Sequence, residues 1–365
     1  MRYLLLFIFF SCSVKTPFKD YSGIYQSARN YEVTKPNDIE EARKIIKMAY
    51  QQGRYLRFSG SNHSQNGFSL PKENEVLIKT KNLNKLSFIN EKKIRVGAGI
   101  NLWYLNEFLR PYNLKLPLIN GGGAAPGLGG FISAGGISPN SQIYGGFWEN
   151  VEEITLIVKN GELLKLKRND FIFPWIFGSM GQLGLIVNAT LRIVPINKNM
   201  KITLPEKRKM NFEYFYDGKH KRPLYWFNLF LAKNQLEKGK AELNQFKKNH
   251  AKYFTDLEPY RWPIKFHQFN PPLIFPKDES FFCLGVFSDL KRSYGFKELK
   301  EIDRAFSELV QKNGFSRYIQ SERDIRPEGL RSLWGEKLYK RFYELKKLYD
   351  PKFLFNQDSV FPKLL

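Results

Sequence analysis

The sequence predicts an α+β fold in two parts, followed by a C-terminal helix. Three observations predict it. Between residues 31 and 109 strands and helices follow in the order β-α-β-β-β-α, which does not alternate as a doubly wound sheet requires. Residues 118–148 then carry ten of the 27 glycines in a run of 31 residues. Beyond residue 200 aromatic strands alternate with amphipathic helices. At 365 residues, with 42% hydrophobic and 16% aromatic content, the chain has room for two domains and a large core.

In chain order, a short strand ends at Pro36, and Asn37 or Asp38 can cap the helix that follows. Ile39, Ala42, Ile45, Ile46 and Ala49 give that helix one apolar face. A strand at Tyr55–Phe58 runs into the small-residue turn Ser59-Gly-Ser-Asn-His-Ser64. Strands follow near Glu75–Lys79 and Lys93–Gly97, then a helix over Asn101–Leu109 with its leucines on one side. Val151–Val158 and Glu162–Leu166 form a hairpin turned by Asn160-Gly161, and Leu185–Val194 is the next strand. Strands at Leu224–Ala232 and Phe281–Ser288 and helices near Leu236–Lys248 and Lys297–Lys312 make the second part. A helix over residues 328–349 ends at Asp350-Pro351.

The glycine-rich stretch has few side chains with which to build a core. Glycine serves there for positive φ angles and for close approach of backbone N–H groups to something bulky and anionic. Phe131, Ile132, Ile137, Ile143, Tyr144 and Trp148 distinguish it from a flexible linker. A phosphate-bearing cofactor lying along this backbone is the expectation. No Gly-x-Gly-x-x-Gly opens a helix and no Gly-x-x-x-x-Gly-Lys-Ser/Thr occurs, which argues against nicotinamide-Rossmann and P-loop sites.

The formal charge of +23 implies attraction to phosphates, anionic lipid or acidic substrates. Its lysines are scattered, and no zinc spacing, RNP-like or helix-turn-helix signal accompanies them, so nucleic acid is not the expected partner. Residues 1–12 pair one basic residue with a short apolar run, too short to span a bilayer. With Ser11-Cys12 at its end the run reads as a lipoprotein signal peptide, Cys12 becoming the acylated first residue. That places the protein in the cell envelope, membrane-attached or periplasmic. A buried N-terminal strand, and with it a cytoplasmic protein, is the other reading. Cys283, in Phe281-Phe-Cys-Leu284, is expected to be a buried thiol, and neither cysteine has metal-ligand spacing.

Val33-Thr-Lys-Pro36, Arg57-Phe-Ser-Gly-Ser-Asn-His-Ser64 and Val96-Gly-Ala-Gly99 stand in one order with Gly129-Gly-Phe-Ile-Ser-Ala-Gly-Gly136, Tyr144-Gly145, Asn150-Val151 and Gly181-Gln-Leu-Gly-Leu-Ile186. In that order and spacing the chain resembles the flavin oxidoreductases of the vanillyl-alcohol oxidase and p-cresol methylhydroxylase (PCMH) superfamily. The central stretch resembles cytokinin dehydrogenases. The end, Leu333-Trp-Gly-Glu-Lys337 through Phe355-Asn-Gln357, resembles the berberine-bridge-enzyme C-terminus. The resemblance covers about residues 30–195 and 330–362.

It implies a two-subdomain FAD-binding domain over residues 30–199, an inserted α+β substrate cap over 200–325, and a tail, 326–365, packing on the FAD domain. Gly60, Ser61, Asn62, His63 and Ser64 would cradle the FAD phosphates. Gly129, Gly130, Ser133 and Gly136 would line the other side, with Ile186 by the adenine and Gln357 in the tail. Asn62 stands where the family usually has glycine. His63 matches the histidine that many members bond to the flavin; a non-covalent histidine against the ring edge is the alternative. Gly123 stands where some relatives have a second attachment cysteine, and Gly122 where cytokinin dehydrogenases have a catalytic aspartate. The base needed for alcohol oxidation must then come from the cap or tail, with Tyr225, His220, His267 and Glu336 as candidates. The implied activity is hydride transfer from an alcohol, sugar, lactone or amine to FAD, with oxygen or another acceptor reoxidising it. A sugar-lipid oxidase at the membrane and a flavin-free binding protein that kept the fold are the alternatives.

Overall fold

The computed structural model describes residues 12–13, 17–23, 25–120, 126–205, 209–211, 224–254, 260–266, 270–289, 296–318, 331 and 334–357. His220, His267, Gly122 and Gly123 lie outside them. Strands β1 (Cys12–Ser13), β2 (Glu32–Thr34), β4 (Val76–Lys79) and β3 (Leu56–Ser59) form one sheet in that order. β2 and β3 run parallel to β4, and β1 is antiparallel to β2. Helix α1 (Ile39–Gln52) links β2 to β3. Of the two candidate caps Asp38 is used: its Oδ1 accepts from Glu41 N–H at 2.8 Å, and Gly53, at φ 66°, closes the helix. Its apolar face packs on Leu56, Val76, Ile78, Val187 and Phe355.

The second sheet is antiparallel: β12 (Lys209–Asn211), β5 (Lys85–Asn90), β6 (Lys93–Gly97), β10 (Leu185–Arg192), β8 (Val151–Ile157) and β9 (Leu163–Lys167). β5 is a strand that the β-α-β-β-β-α order lacked. Only Leu86 and Phe88 point inward, while Ile89 is exposed, so its alternation is too brief to stand out. The Asn160-Gly161 turn between β8 and β9 takes both residues to positive φ. Helix α2 (Leu102–Leu109) is capped by Asn101 and buries Leu102, Leu105 and Leu109. It leads to β7 (Leu114–Lys115), which pairs with β11 (Val194–Pro195). Two short helices, α3 (Leu128–Ser133) and α4 (Ser141–Tyr144), occupy the glycine-rich stretch.

The third sheet, β13 (Leu224–Leu231), β15 (Ser280–Asp289) and β14 (Tyr260–Lys265), is antiparallel in that order, with helices α5 (Leu236–Asn249) and α6 (Phe296–Lys312) on one face. The period-2 alternation of β13 sorts its aromatics. Tyr225, Phe227, Leu229 and Leu231 join the helix-side core. Trp226 and Phe230 join the core shared with the glycine-rich segment, as does Cys283, a fully buried thiol as expected.

The tail helix is described as α7 (Glu336–Tyr349). Gly335, at φ 79°, separates it from the helical residues 331 and 334, so the continuous helix expected over 328–349 is broken there. Beyond α7 the chain does return: Leu56 N–H donates to Leu354 O and Asn356 N–H to Leu56 O, each at 2.8 Å. Lys346 Nζ, buried, donates to Asp350 Oδ2 (2.6 Å), Gln182 O (2.7 Å) and Phe355 O (2.9 Å). Among the described residues no helix is long and apolar enough to cross a membrane.

Candidate active site

β3 delivers the turn 59–65 to the mouth of a cavity of about 1290 Å³, part of it open to solvent. Gly60, Ser61, Asn62, His63 and Ser64 all line it. Asn62 sits at φ 54°, the left-handed conformation that asparagine tolerates better than most side chains. A glycine could occupy the same conformation without strain. The Asn62 amide is also used: Nδ2 donates to Lys19 O at 2.7 Å and Oδ1 accepts from Ser69 Oγ at 2.8 Å. The His63 ring stacks on Tyr21, centroids 4.1 Å apart and planes 25° apart.

The opposite side comes from α3. Gly127 N–H donates to Ser61 Oγ at 2.7 Å, which ties the two glycine segments together. Gly129, Gly130, Ser133 and Ile186 line the cavity. Gly130 has no positive φ; what it supplies is room, since a Cβ there would meet nothing within 4 Å. Gly136 does not line the cavity. A Cβ on it would lie 2.4 Å from the Phe131 ring, so this glycine is required by core packing, not by a ligand. Gln357 does not line it either: its Nε2 donates to Phe353 O at 2.7 Å. The tail residue at the cavity is its neighbour Asn356, whose Oδ1 accepts from Phe58 N–H and whose Nδ2 donates to Met180 O.

The third sheet closes the cavity with aromatic rings. Trp226 lies opposite Phe287 in the β13–β15 register and stacks on it, centroids 6.0 Å apart. Trp262 of β14 and Tyr318 stand 6.0 Å and 5.7 Å from Trp226. Burial, with Cys283 nearby, pushes the Tyr318 hydroxyl well above its ordinary pKa, so it stays protonated.

Neither described catalytic candidate reaches this space. Tyr225 points to the helix side, where its hydroxyl bonds Asp303 and accepts from Arg317 Nη2 at 3.1 Å. Burial and the Asp303 charge hold its pKa far up. Glu336, exposed on α7, pairs with Lys340 and Arg331, each at 3.5 Å. Trp226, Trp262, Phe287, Tyr318, Gln65 and Asn356 are the cavity residues that sequence reasoning missed. The aromatic loading of β13 was visible, but which of its faces met the glycine segments was not.

The residues present fit a bound dinucleotide. Ser59 Oγ is buried with no protein hydrogen-bond partner among the described residues. The backbone N–H groups of Asn62 and Ser64 likewise donate to no described acceptor. These groups line the same cavity as Gly130, on whose side a Cβ would meet nothing within 4 Å.

Residues 32–167 match the FAD binding domain family. D-arabinono-1,4-lactone oxidase of Kluyveromyces lactis is 27% identical over 58% of this chain and 41% of its own length. The enzyme of that name from Saccharomyces cerevisiae is 30% identical over 49% of the chain and 34% of its own. D-lactate dehydrogenase of Archaeoglobus fulgidus is 24% identical over 48% and 42%. The chain thus matches less than half the length of each of these relatives. The family match and the cavity lining agree: residues 32–167 match an FAD binding domain, and FAD is its cofactor.

Proposed function

We propose that this chain is an FAD-linked oxidoreductase that oxidises a hydroxylated lactone or a related small polyol. The observation that carries the reading is the pairing of two unlike walls around one cavity. The glycine side suits a dinucleotide, and the aromatic side suits the flat C–H face of a small ring. The names of the relatives, lactone oxidases among them, support this substrate class.

FAD supplies the two-electron acceptor. The remaining work belongs to the chain. Turn 60–64 and Gly129–Ser133 hold the dinucleotide, and Trp226, Trp262 and Phe287 exclude water and seat the substrate. Tyr318 presents a hydroxyl that can donate to a substrate oxygen. Oxidation of the substrate's C–OH to C=O would release a hydride, which bound FAD would accept, and a proton, which would pass to solvent water. Bound FAD would then be reoxidised by oxygen or another acceptor.

The test is anaerobic bleaching of the purified yellow protein with D-arabinono-1,4-lactone, D-lactate and a panel of sugars, alcohols and amines. Bleaching by a hydroxylated lactone at a saturable rate is expected. A colourless, folded protein that takes up no added FAD would overturn the reading in favour of a binding protein. A yellow protein bleached only by amines would move it to another substrate class.

A further inference from the structure

Gln65 stands at the seam between the two walls. It is 3% exposed, lies two residues after His63, and lines the cavity. Its Oε1 accepts from the backbone N–H of Trp226 at 3.1 Å. β13 is the outer strand of its three-stranded sheet, and this bond ties its main chain to the 59–65 turn. The bond also fixes the orientation of the amide, because only the oxygen can accept from an N–H. Nε2 is therefore the free end. Among the described residues no acceptor takes it. An amide whose oxygen is already engaged and whose N–H donors open on a cavity is placed to donate to an acceptor oxygen of a bound ligand.

We propose that Gln65 is a substrate-orienting residue, donating from Nε2 to a hydroxyl or carbonyl oxygen of the substrate where the FAD-binding turn meets the aromatic wall. The assignment rests on the oxidoreductase reading above. The stacked Trp226–Phe287 pair offers the ring a flat surface but no direction. One donor beside it sets which edge of the ring turns toward the His63 side. A hydroxylated lactone presents such an acceptor; a hydrocarbon or a simple thioether does not. The same side chain is tied to the Trp226 main chain, so donor and platform keep a fixed spacing.

Two variants separate donation from mere support. Gln65→Glu keeps an oxygen for the Trp226 N–H and loses the donor while its carboxyl is ionised; protonation restores an O–H. Gln65→Met loses both. Anaerobic bleaching of the FAD-loaded holoprotein against D-arabinono-1,4-lactone gives the substrate Kd and the limiting rate separately. For Gln65→Glu the expectation is about a tenfold rise in Kd at alkaline pH, the loss of one hydrogen bond, with recovery toward acid pH. FAD content and far-UV circular dichroism should match wild type. Gln65→Met should show the Kd loss at every pH, and it carries the test if Gln65→Glu does not fold. Wild-type Kd in Gln65→Glu at all pH, with only Gln65→Met impaired, would reduce Gln65 to a support for Trp226. Loss of FAD from a folded variant would reassign the donor to the cofactor. Both results overturn the proposal. A wild type bleached by no hydroxylated lactone or polyol removes the functional reading, and this assignment with it.

Discussion

Gly130 offers the sharpest test of where FAD lies, because its effects on folding and on binding can be kept apart. It sits inside α3, not at a positive φ, and a Cβ there meets no atom within 4 Å. Glycine within a helix costs roughly 0.5–1 kcal/mol relative to alanine, and a β-branched residue recovers only part of that. Gly130→Val should therefore leave the apo fold unchanged within about 1 kcal/mol. The branched side chain must go into the cavity, in the space assigned to the cofactor. Forcing such groups against a fitted surface costs about 1–3 kcal/mol, so FAD binding should weaken roughly 5- to 150-fold. Flavin absorbance per protein after gel filtration, with circular dichroism and a melting curve, reads both effects. The contrasting change is Gly136→Val, where a Cβ would meet the Phe131 ring at 2.4 Å. It should lower stability without entering the cavity. Folded Gly130→Val with full FAD content would refute the placement.

Three further outcomes can be measured. If His63 carries the flavin covalently, a denatured wild-type band fluoresces after peracid treatment and a His63→Ala band does not; a dark band from yellow wild type rejects the bond. Tyr225→Phe should leave lactone turnover unchanged while costing about 1–2 kcal/mol of stability, since it removes a buried hydroxyl from Asp303 and Arg317; a large drop in kcat at wild-type stability would return Tyr225 to the catalytic site. Acylation at Cys12 predicts a membrane fraction for wild type and a shift away from it for Cys12→Ser; mass analysis showing an intact Met1 in soluble wild-type protein rejects acylation.

Much of the FAD-binding domain was legible because its constraints are local. Asp38 and Gly53 bracket α1, Asn160-Gly161 turn a hairpin, and the 60–64 turn needs small residues wherever it occurs. The errors came where one residue's environment is set by distant chain. Gly136 looked like its neighbours Gly129 and Gly130, but Phe131 folding back over it decides its role. Gln357 and Asn356 are adjacent polar residues, and only their pairing with Phe353 on one side and with Phe58 and Met180 on the other separates them. On β13 the period-2 pattern says that Tyr225 and Trp226 face opposite ways. It does not say which way holds the helices, and so the polar residue drew the catalytic assignment while the apolar neighbour had the cavity.

The tail's position also gives a physical reason for a chain that leaves its FAD-binding domain, builds a cap and comes back. Asn356 bridges Phe58, at the start of the FAD-binding turn, to Met180, beside the second glycine cluster. Those two segments are far apart in sequence and share no strand pairing. Lys346 and Asp350 hold the loop that presents Asn356, both almost fully buried and joined at 2.6 Å, with the Gln182 and Phe355 carbonyls completing the ammonium's partners. A buried pair of this kind adds little net stability, but removing one partner leaves a stranded charge that costs about 3–5 kcal/mol. The arrangement thus penalises any tail conformation that moves Asn356 out of place. The 59–65 turn, the second glycine cluster and the tail are fixed as one unit.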